Sequence, residues 1–514
     1  MPIKIHSATL FGIEAMAIDI EVDSTPGLRF FNIVGLASKV VEESKDRIAA
    51  AIRNCGFIPY TSKNRRIIVS LAPADIKKEG PIFDLPIALG YMLATSQIQF
   101  DSKKSIYIGE LSLDGTIRAV RGVLPISIFS KNKGFSEIIV PLDNVAEAAL
   151  VKGINVIGVR NLGEAIRHVS GEKIIQPYVS RETLKRPSLE GINSILEISS
   201  IKGQENAKYA LMVAAAGGHN MLMYGPPGAG KTLLAKALAG ILPKMTYEEC
   251  LEVTKLYSIS GLLKNNFWIN TRPFRSPHHT ASPHAIIGGG TIPKPGEISL
   301  AHRGVLFMDE LPEFPRNVLE ALRQPLEDGE VIVSRTAATV NFPAKFTLLA
   351  AMNPCPCGHF GSDKNQCVCL PSSVTRYQKK VSGPLLDRID LHVNVPRETF
   401  KKISGNGVSG EASALIQENV EKAREIQNIR FGSIKTNSQM NIKEVEKYCS
   451  LNKEGMAFIE MSVEKKNISV RGYHKILKVS RTMADLEGKE NIGISHLARA
   501  INYRFFDELP SLLS

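Results

Sequence analysis

The sequence predicts an α/β protein built of two successive units, with a helical region at its C-terminal end. Three observations predict it. Short apolar runs alternate with helix-period stretches over residues 1–170. Three apolar strands within 201–397 each end in a polar or glycine-rich turn, and from Glu411 onward the pattern is helical. The 514 residues are 44% hydrophobic, 6% aromatic and 22% charged. That mixture excludes wholesale disorder and collagen-like repeats. A chain of this length has room for about two to four domains, each with its own core. No run approaches the roughly 20 consecutive apolar residues that cross a bilayer. Glu14 and Asp19 also interrupt the apolar run that a signal peptide needs. The expectation is a cytoplasmic protein, neither exported nor inserted in a membrane.

Lys and Arg outnumber Asp and Glu by 63 to 51, a net charge of +12. The excess is spread: 21 basic against 18 acidic residues in 1–180, 24 against 19 in 181–400, and 18 against 14 in 401–514. There is no basic tail. The balance is compatible with a phosphate-backbone partner, and equally with many proteins that have none.

In the first unit, 1–170, strand-like runs at Ala17–Val22, Arg66–Leu71 and Glu137–Val140 alternate with helical stretches such as Lys39–Cys55. Residues 171–200 are largely polar, with Pro177 and Pro187, and read as a linker. The second unit, 201–397, has strands at Met221–Tyr224, Val305–Met308 and Phe346–Met352, a recurrence that predicts parallel βαβ units with the chemistry at the strand ends. Residues 397–410 are loop-like, and 411–514 form the helical region.

The strongest motif is Gly225-Pro226-Pro227-Gly228-Ala229-Gly230-Lys231-Thr232, which fits GxxxxGK[ST] after a short strand and before a helix, Leu233–Leu242. Its glycines let backbone N–H groups wrap phosphates, and the helix N-terminus favours the anion. Lys231 reaches the β- and γ-phosphates, and Thr232 can ligate Mg²⁺. The strand Val305–Met308 then delivers Asp309 and Glu310 to its C-terminal edge. Asp309 is placed to hold Mg²⁺ and Glu310 to orient and polarise an attacking water. Asn353 ends the third strand, where its amide can touch the γ-phosphate or the water. Downstream, Gly383-Pro-Leu-Leu-Asp387-Arg388-Ile-Asp390 sets an arginine among carboxylates, which reads equally as a salt-bridged surface residue.

Together these motifs resemble the AAA+ ATPases, in particular their magnesium-chelatase-like branch. The likeness extends through Arg272-Pro-Phe-Arg275-Ser-Pro-His278-His279-Thr280-Ala-Ser282, Pro293–Arg303 and Asn353-Pro-Cys-Pro-Cys-Gly358. Over essentially the whole chain the sequence is most similar to the YifB/ComM family. The resemblance implies an AAA+ P-loop core with a helical lid. It implies Asn353 as sensor 1 and Arg388 as an arginine finger supplied to the neighbouring subunit. Arg471, in Ser469-Val-Arg471-Gly-Tyr-His474, is implied as sensor 2. Both arginines would neutralise charge on the transferred phosphoryl group. ATP and Mg²⁺ are the implied cofactors, and a homo-hexameric ring the implied assembly.

The first unit resembles the Lon-protease fold, through Gly109-Glu110-Leu-Ser-Leu-Asp114-Gly and Lys78-Glu-Gly80-Pro81. It departs from the protease pattern where it matters for chemistry. Ile82 stands where the nucleophilic serine should be, and Leu124 near the position of the partner lysine. Without nucleophile and base there is no covalent route to peptide cleavage. A non-proteolytic accessory domain is expected.

Cys355-x-Cys357 and Cys367-x-Cys369 supply four thiolates of the kind that hold structural Zn²⁺. CxC is tighter than the usual CxxC, and reduced loop thiols or a redox disulfide are the other readings. Cys55, Cys250 and Cys449 are isolated and read as reduced core thiols. Residues Glu330–Phe342 alternate and reverse, predicting a β-hairpin with Arg335 near its tip. Related ring helicases project a similar hairpin into the pore, where Arg335 could grip a phosphate backbone. His278, His279 and His284 lack a carboxylate at ligand spacing and read as a structural or substrate-loop group.

The expected function is an ATP-driven ring motor on single-stranded or branched DNA. The family resemblance points to branch migration in recombination and natural transformation. The alternative is an ATPase like the chelatase subunit that assists Mg²⁺ insertion into a tetrapyrrole. A Lon-like protease is disfavoured by Ile82.

Overall fold

The computed structural model describes residues 2–78, 80–179, 196–263, 267–290, 293–335, 338–361, 366–398, 412–466 and 468–504, without the side chains of 335 and 338. Two units emerge, Met1–Arg186 with Cys250–Ile269, and Pro187–Glu249 with Asn270–Ser514.

The first unit is organised on a seven-stranded mixed sheet. Its strands are β1 (Ile3–Phe11), β2 (Glu14–Pro26), β3 (Phe30–Val34), β4 (Arg65–Ala72), β5 (Ser105–Tyr107), β8 (Glu137–Pro141) and β9 (Asn155–Val159) in the order β3-β4-β2-β1-β5-β8-β9; β6 (Glu110–Leu111) and β7 (Ile117–Arg118) form a separate short ribbon. β1 and β2 pair from Ile3↔Val22 to Phe11↔Glu14. The hairpin needs only Gly12 and Ile13, because Gly12 takes a φ of +63°. Alternation sets the core: Ile18, Ile20 and Val22 on β2 and Ile67, Val69 and Leu71 on β4 are all fully buried. The expected helix Lys39–Cys55 is broken into Lys39–Glu42 and Ser44–Asn54. Ser44 explains the break: its buried hydroxyl donates to Val41 O at 2.6 Å, replacing a helical bond with a local one. Ile82 is buried in the apolar core of this unit, and Leu124 is fully buried. Cys250–Ile269 also packs here, with Ser258 Oγ donating to Glu147 Oε1 at 2.5 Å.

The second unit carries a five-stranded parallel sheet. Its strands are β10 (Met221–Tyr224), β11 (Phe274–Arg275), β14 (Val305–Met308), β17 (Thr347–Met352) and β18 (Leu391–Asn394), ordered β11-β14-β17-β10-β18. Burial on both faces makes β14 a continuous apolar run and β17 one after its first residue, Thr347. Two antiparallel pairs accompany the sheet: β12 (Gly288–Gly289) with β13 (Lys294–Pro295), between β11 and β14 in the chain, and β15 (Glu330–Arg335) with β16 (Ala338–Pro343), between β14 and β17. The second is the hairpin expected from alternation. The helices Ser413–Phe431, Ile442–Tyr448, Lys453–Lys466, Val470–Leu486 and Ile494–Asn502 follow.

Those helices are fastened to the helix Glu205–Gly217 and to the edge of the sheet by polar bonds as well as by a shared apolar core. Arg424 donates to Ala215 O at 3.2 and 2.9 Å, and Gln427 Nε2 to Ala216 O at 3.1 Å. Asp390, just before β18, accepts from Lys475 Nζ at 2.5 Å and lies 3.3 Å from His219 Nδ1, while His219 Nε2 meets Thr482 Oγ1 at 2.8 Å. Among the described residues no helix is long and apolar enough to cross a membrane.

Candidate nucleotide site

The glycine-rich loop leaves β10 at Gly225 and enters the helix Lys231–Ile241. Gly228 and Gly230 take φ values of +75° and +90°, which a side chain would resist. Gly225 is required for a different reason: a Cβ there would lie 2.1 Å from Val395 O. Lys231 is buried, and its Nζ donates to Gly225 O at 2.6 Å, Pro226 O at 2.9 Å and Asn353 Oδ1 at 3.0 Å. Burial lowers its pKa to about 8, against the opposing pull of Asp309 and Glu310.

Because the sheet is parallel, the ends of β10, β14 and β17 open on one edge. Thr232 Oγ1 donates to Asp309 Oδ2 at 2.8 Å, so a hydroxyl and a carboxylate oxygen lie side by side. That oxygen pair fits Mg²⁺, which takes one or two protein oxygens and completes its shell with water and phosphate. Glu310 is exposed at a φ of +51°, with its N–H bound to Asp309 Oδ1 at 3.0 Å. One of the histidines read as a structural or substrate-loop group lies at this edge. His279 Nδ1 lies 3.4 Å from Glu310 Oε2, its ring tilted 32° against His278 at 4.2 Å and edge-on to Phe314.

The two arginines are elsewhere. Arg388 pairs with Glu327 at 2.5 Å and donates to Pro384 O at 2.6 Å. Arg388 and Arg471 line one cleft of about 830 Å³ together with Asn220, Gly304 and Thr347, which stand at the starts of β10, β14 and β17. Lys231, Asp309 and Asn353 stand at the opposite ends of the same strands. Within one chain the structure therefore does not bring the arginines to the P-loop.

The four cysteines converge. Their Sγ atoms all lie within 4.8 Å of one another, with Cys355–Cys357 at 3.3 Å, Cys355–Cys367 at 3.7 Å and Cys357–Cys367 at 3.6 Å. Four thiolates on tetrahedral zinc need S···S separations of about 3.8 Å, so the set fits that ion. Backbone N–H groups of His359 and Val368 hold the Cys357 thiol down at about 6. The Cys369 N–H would lower Cys367 as well, yet burial and the adjoining thiols push it up to about 12. Arg335 closes β15, and its side chain lies outside the described residues.

The family described as magnesium chelatase, subunit ChlI, matches residues 197–403; further ChlI descriptions match 20–144 and, for the C-terminal part, 410–504. The competence protein ComM of Haemophilus influenzae is 45% identical over 517 residues, 99% of each chain. The YifB protein of Escherichia coli K12 is 39% identical over 509 residues, 98% of this chain and 97% of its own. The magnesium-chelatase 38 kDa subunit of Rhodobacter capsulatus is 23% identical over 340 residues, 61% of this chain and 88% of its own. Likeness sustained from end to end at that identity leaves one conclusion: the chain belongs to the YifB/ComM family of magnesium-chelatase-like AAA+ ATPases.

Proposed function

We propose that the chain is the subunit of a hexameric ring that hydrolyses ATP and moves on single-stranded or branched DNA, driving branch migration in recombination and natural transformation. The observation that carries this reading is the separation of two sets of residues on one sheet. The P-loop, Asp309 and Asn353 occupy the ends of its strands, and Arg388 and Arg471 line a cleft at their starts. A site that needs both sets is completed only by a second copy.

In that arrangement the backbone of Gly225–Gly230 and the ammonium of Lys231 hold the β- and γ-phosphates. Thr232 and Asp309 hold Mg²⁺, which when bound neutralises phosphate charge. Glu310 takes a proton from the attacking water, and Asn353 positions that water against the γ-phosphate. Arg388 and Arg471 of the neighbouring subunit stabilise charge as the phosphoryl group transfers. The hairpin β15–β16 is the element we assign to DNA, with Arg335 near its turn. A relative named for competence supports DNA uptake as the setting. The four cysteines are proposed to hold structural Zn²⁺, since four protein ligands leave no open position. The first unit is read as a Lon-like accessory domain without peptidase activity, in keeping with apolar, buried Ile82 and Leu124.

The test is ATPase activity of the full chain with and without single-stranded or branched DNA, alongside a branch-migration assay. DNA is expected to stimulate turnover and strands to move. Glu310→Gln should bind ATP normally yet lose at least about 10²-fold in kcat. DNA-independent turnover without strand movement would overturn the motor, and retained turnover in Glu310→Gln would remove Glu310 from its role. The chelatase-like alternative draws on the Rhodobacter relative, which matches only 61% of this chain. It predicts turnover indifferent to DNA and stimulated by a partner that loads Mg²⁺ into a tetrapyrrole.

A further inference from the structure

The cysteine loop and the nucleotide loop touch. Cys355, the one fully buried thiol of the four, follows Asn353 by two residues, and Asn353 is bonded to Lys231. Gly358 N–H donates to Cys355 O at 3.0 Å, closing a turn at a φ of +80°, and Phe360 N–H donates to Cys355 Sγ at 3.3 Å. That turn is pressed on the P-loop: a Cβ on Gly358 would sit 2.5 Å from Pro227 Cδ. Pro227 is also restrained through its carbonyl, which accepts from Arg397 Nε and Nη2 at 3.2 and 3.1 Å. Gln378 Nε2 ties down the intervening Pro354 O at 3.0 Å.

Four thiols this close repel one another once ionised, and a bound cation removes that repulsion and fixes the loop. Whatever fixes the loop also fixes Asn353 at one end and Pro227 at its flank. We propose that zinc held by Cys355, Cys357, Cys367 and Cys369 is the brace of the ATP site, so that metal loading sets the affinity for nucleotide. The proposal rests on the zinc reading above and adds a coupling to it.

The test uses the full-length protein as purified, with zinc measured by mass spectrometry and affinity by mant-ATP fluorescence. About one zinc per chain is expected. Removing it with a mercurial and chelator should weaken mant-ATP by about tenfold or more, and zinc added back should restore it. Cys369→Ser, which lies away from Pro227 in sequence, should lose both zinc and affinity. The thermal unfolding midpoint of the zinc-free protein guards against simple unfolding and should stay near that of the loaded protein. Gly358→Ala keeps all four thiols but crowds Pro227 and strains the turn at its φ of +80°, and should bind mant-ATP more weakly. Only traces of zinc in the purified protein would sink the zinc reading and the coupling with it. Zinc that is present, and removable without changing mant-ATP affinity, would sink the coupling alone, as would normal affinity in Gly358→Ala.

Discussion

In the role proposed for it Lys231 must be an ammonium to hold phosphate, yet burial brings its pKa down to about 8. The consequence has a definite sign. Below about pH 8 the charge is present and affinity should be flat. Above it, binding must also take up a proton, and affinity should fall by up to about tenfold per pH unit. Mant-ATP titrations with proton-uptake measurements from pH 7 to 9.5 check this, and equal affinity at both ends would refute it. Much of the site's layout was legible because the sequence writes it in contiguous strings. A glycine-rich turn must follow a strand, and Asp309 and Asn353 must sit where apolar runs stop. His279 stood out only as one of a histidine group, and its place beside Glu310 was not legible. Its approach to Glu310 comes from β11 lying beside β14, and strand order leaves no trace in periodicity. For the same reason the sequence could not tell which end of the sheet Arg388 and Arg471 would occupy.

At the level of elements, runs that become β10 and β14 matched apolar stretches to the residue, since burial on both faces leaves no polar interruption. The two-residue strands β12 and β13 were invisible, being too short to carry a period. The seat of the C-terminal helices was hidden too, because its polar partners are far apart in sequence. Burial would raise the Asp390 carboxyl, but Lys475 and His219 hold it far below the usual range. Burial keeps His219 neutral by lowering its pKa. Both groups are depressed in the fold, so both contribute stability that is lost on acidification. The loss should begin below about pH 6.5, where an unfolded histidine takes up a proton, and steepen below about pH 4. Asp390→Asn strands the Lys475 ammonium and should cost about 3 kcal/mol at pH 7. Denaturant unfolding across pH, with hydrogen exchange over Val470–Leu486, measures both effects. Stability unchanged between pH 7 and 5 would contradict the account.

For the whole molecule, a shared site predicts complementation. Full-length Lys231→Ala and Arg388→Ala should each lose at least about 10²-fold in turnover, the arginine variant while still binding mant-ATP. Mixed in one preparation they should recover part of the activity, because some seams then pair an intact P-loop with an intact arginine. No recovery at any ratio, in assemblies verified to be mixed, would argue for a site complete in one chain.

The division into two units was partly legible, from the polar stretch between them. The excursion of Cys250–Ile269 into the first unit was not, because the helix Tyr247–Ser260 runs through that boundary without a change in composition. That excursion bears on how the protein can be dissected. A fragment begun after the polar stretch would keep the buried Val253 and Leu256 while leaving behind the rest of the unit to which they belong. Cutting the chain once does not yield two self-sufficient pieces, and an ATPase fragment worth expressing needs that excursion replaced by a short hydrophilic bridge.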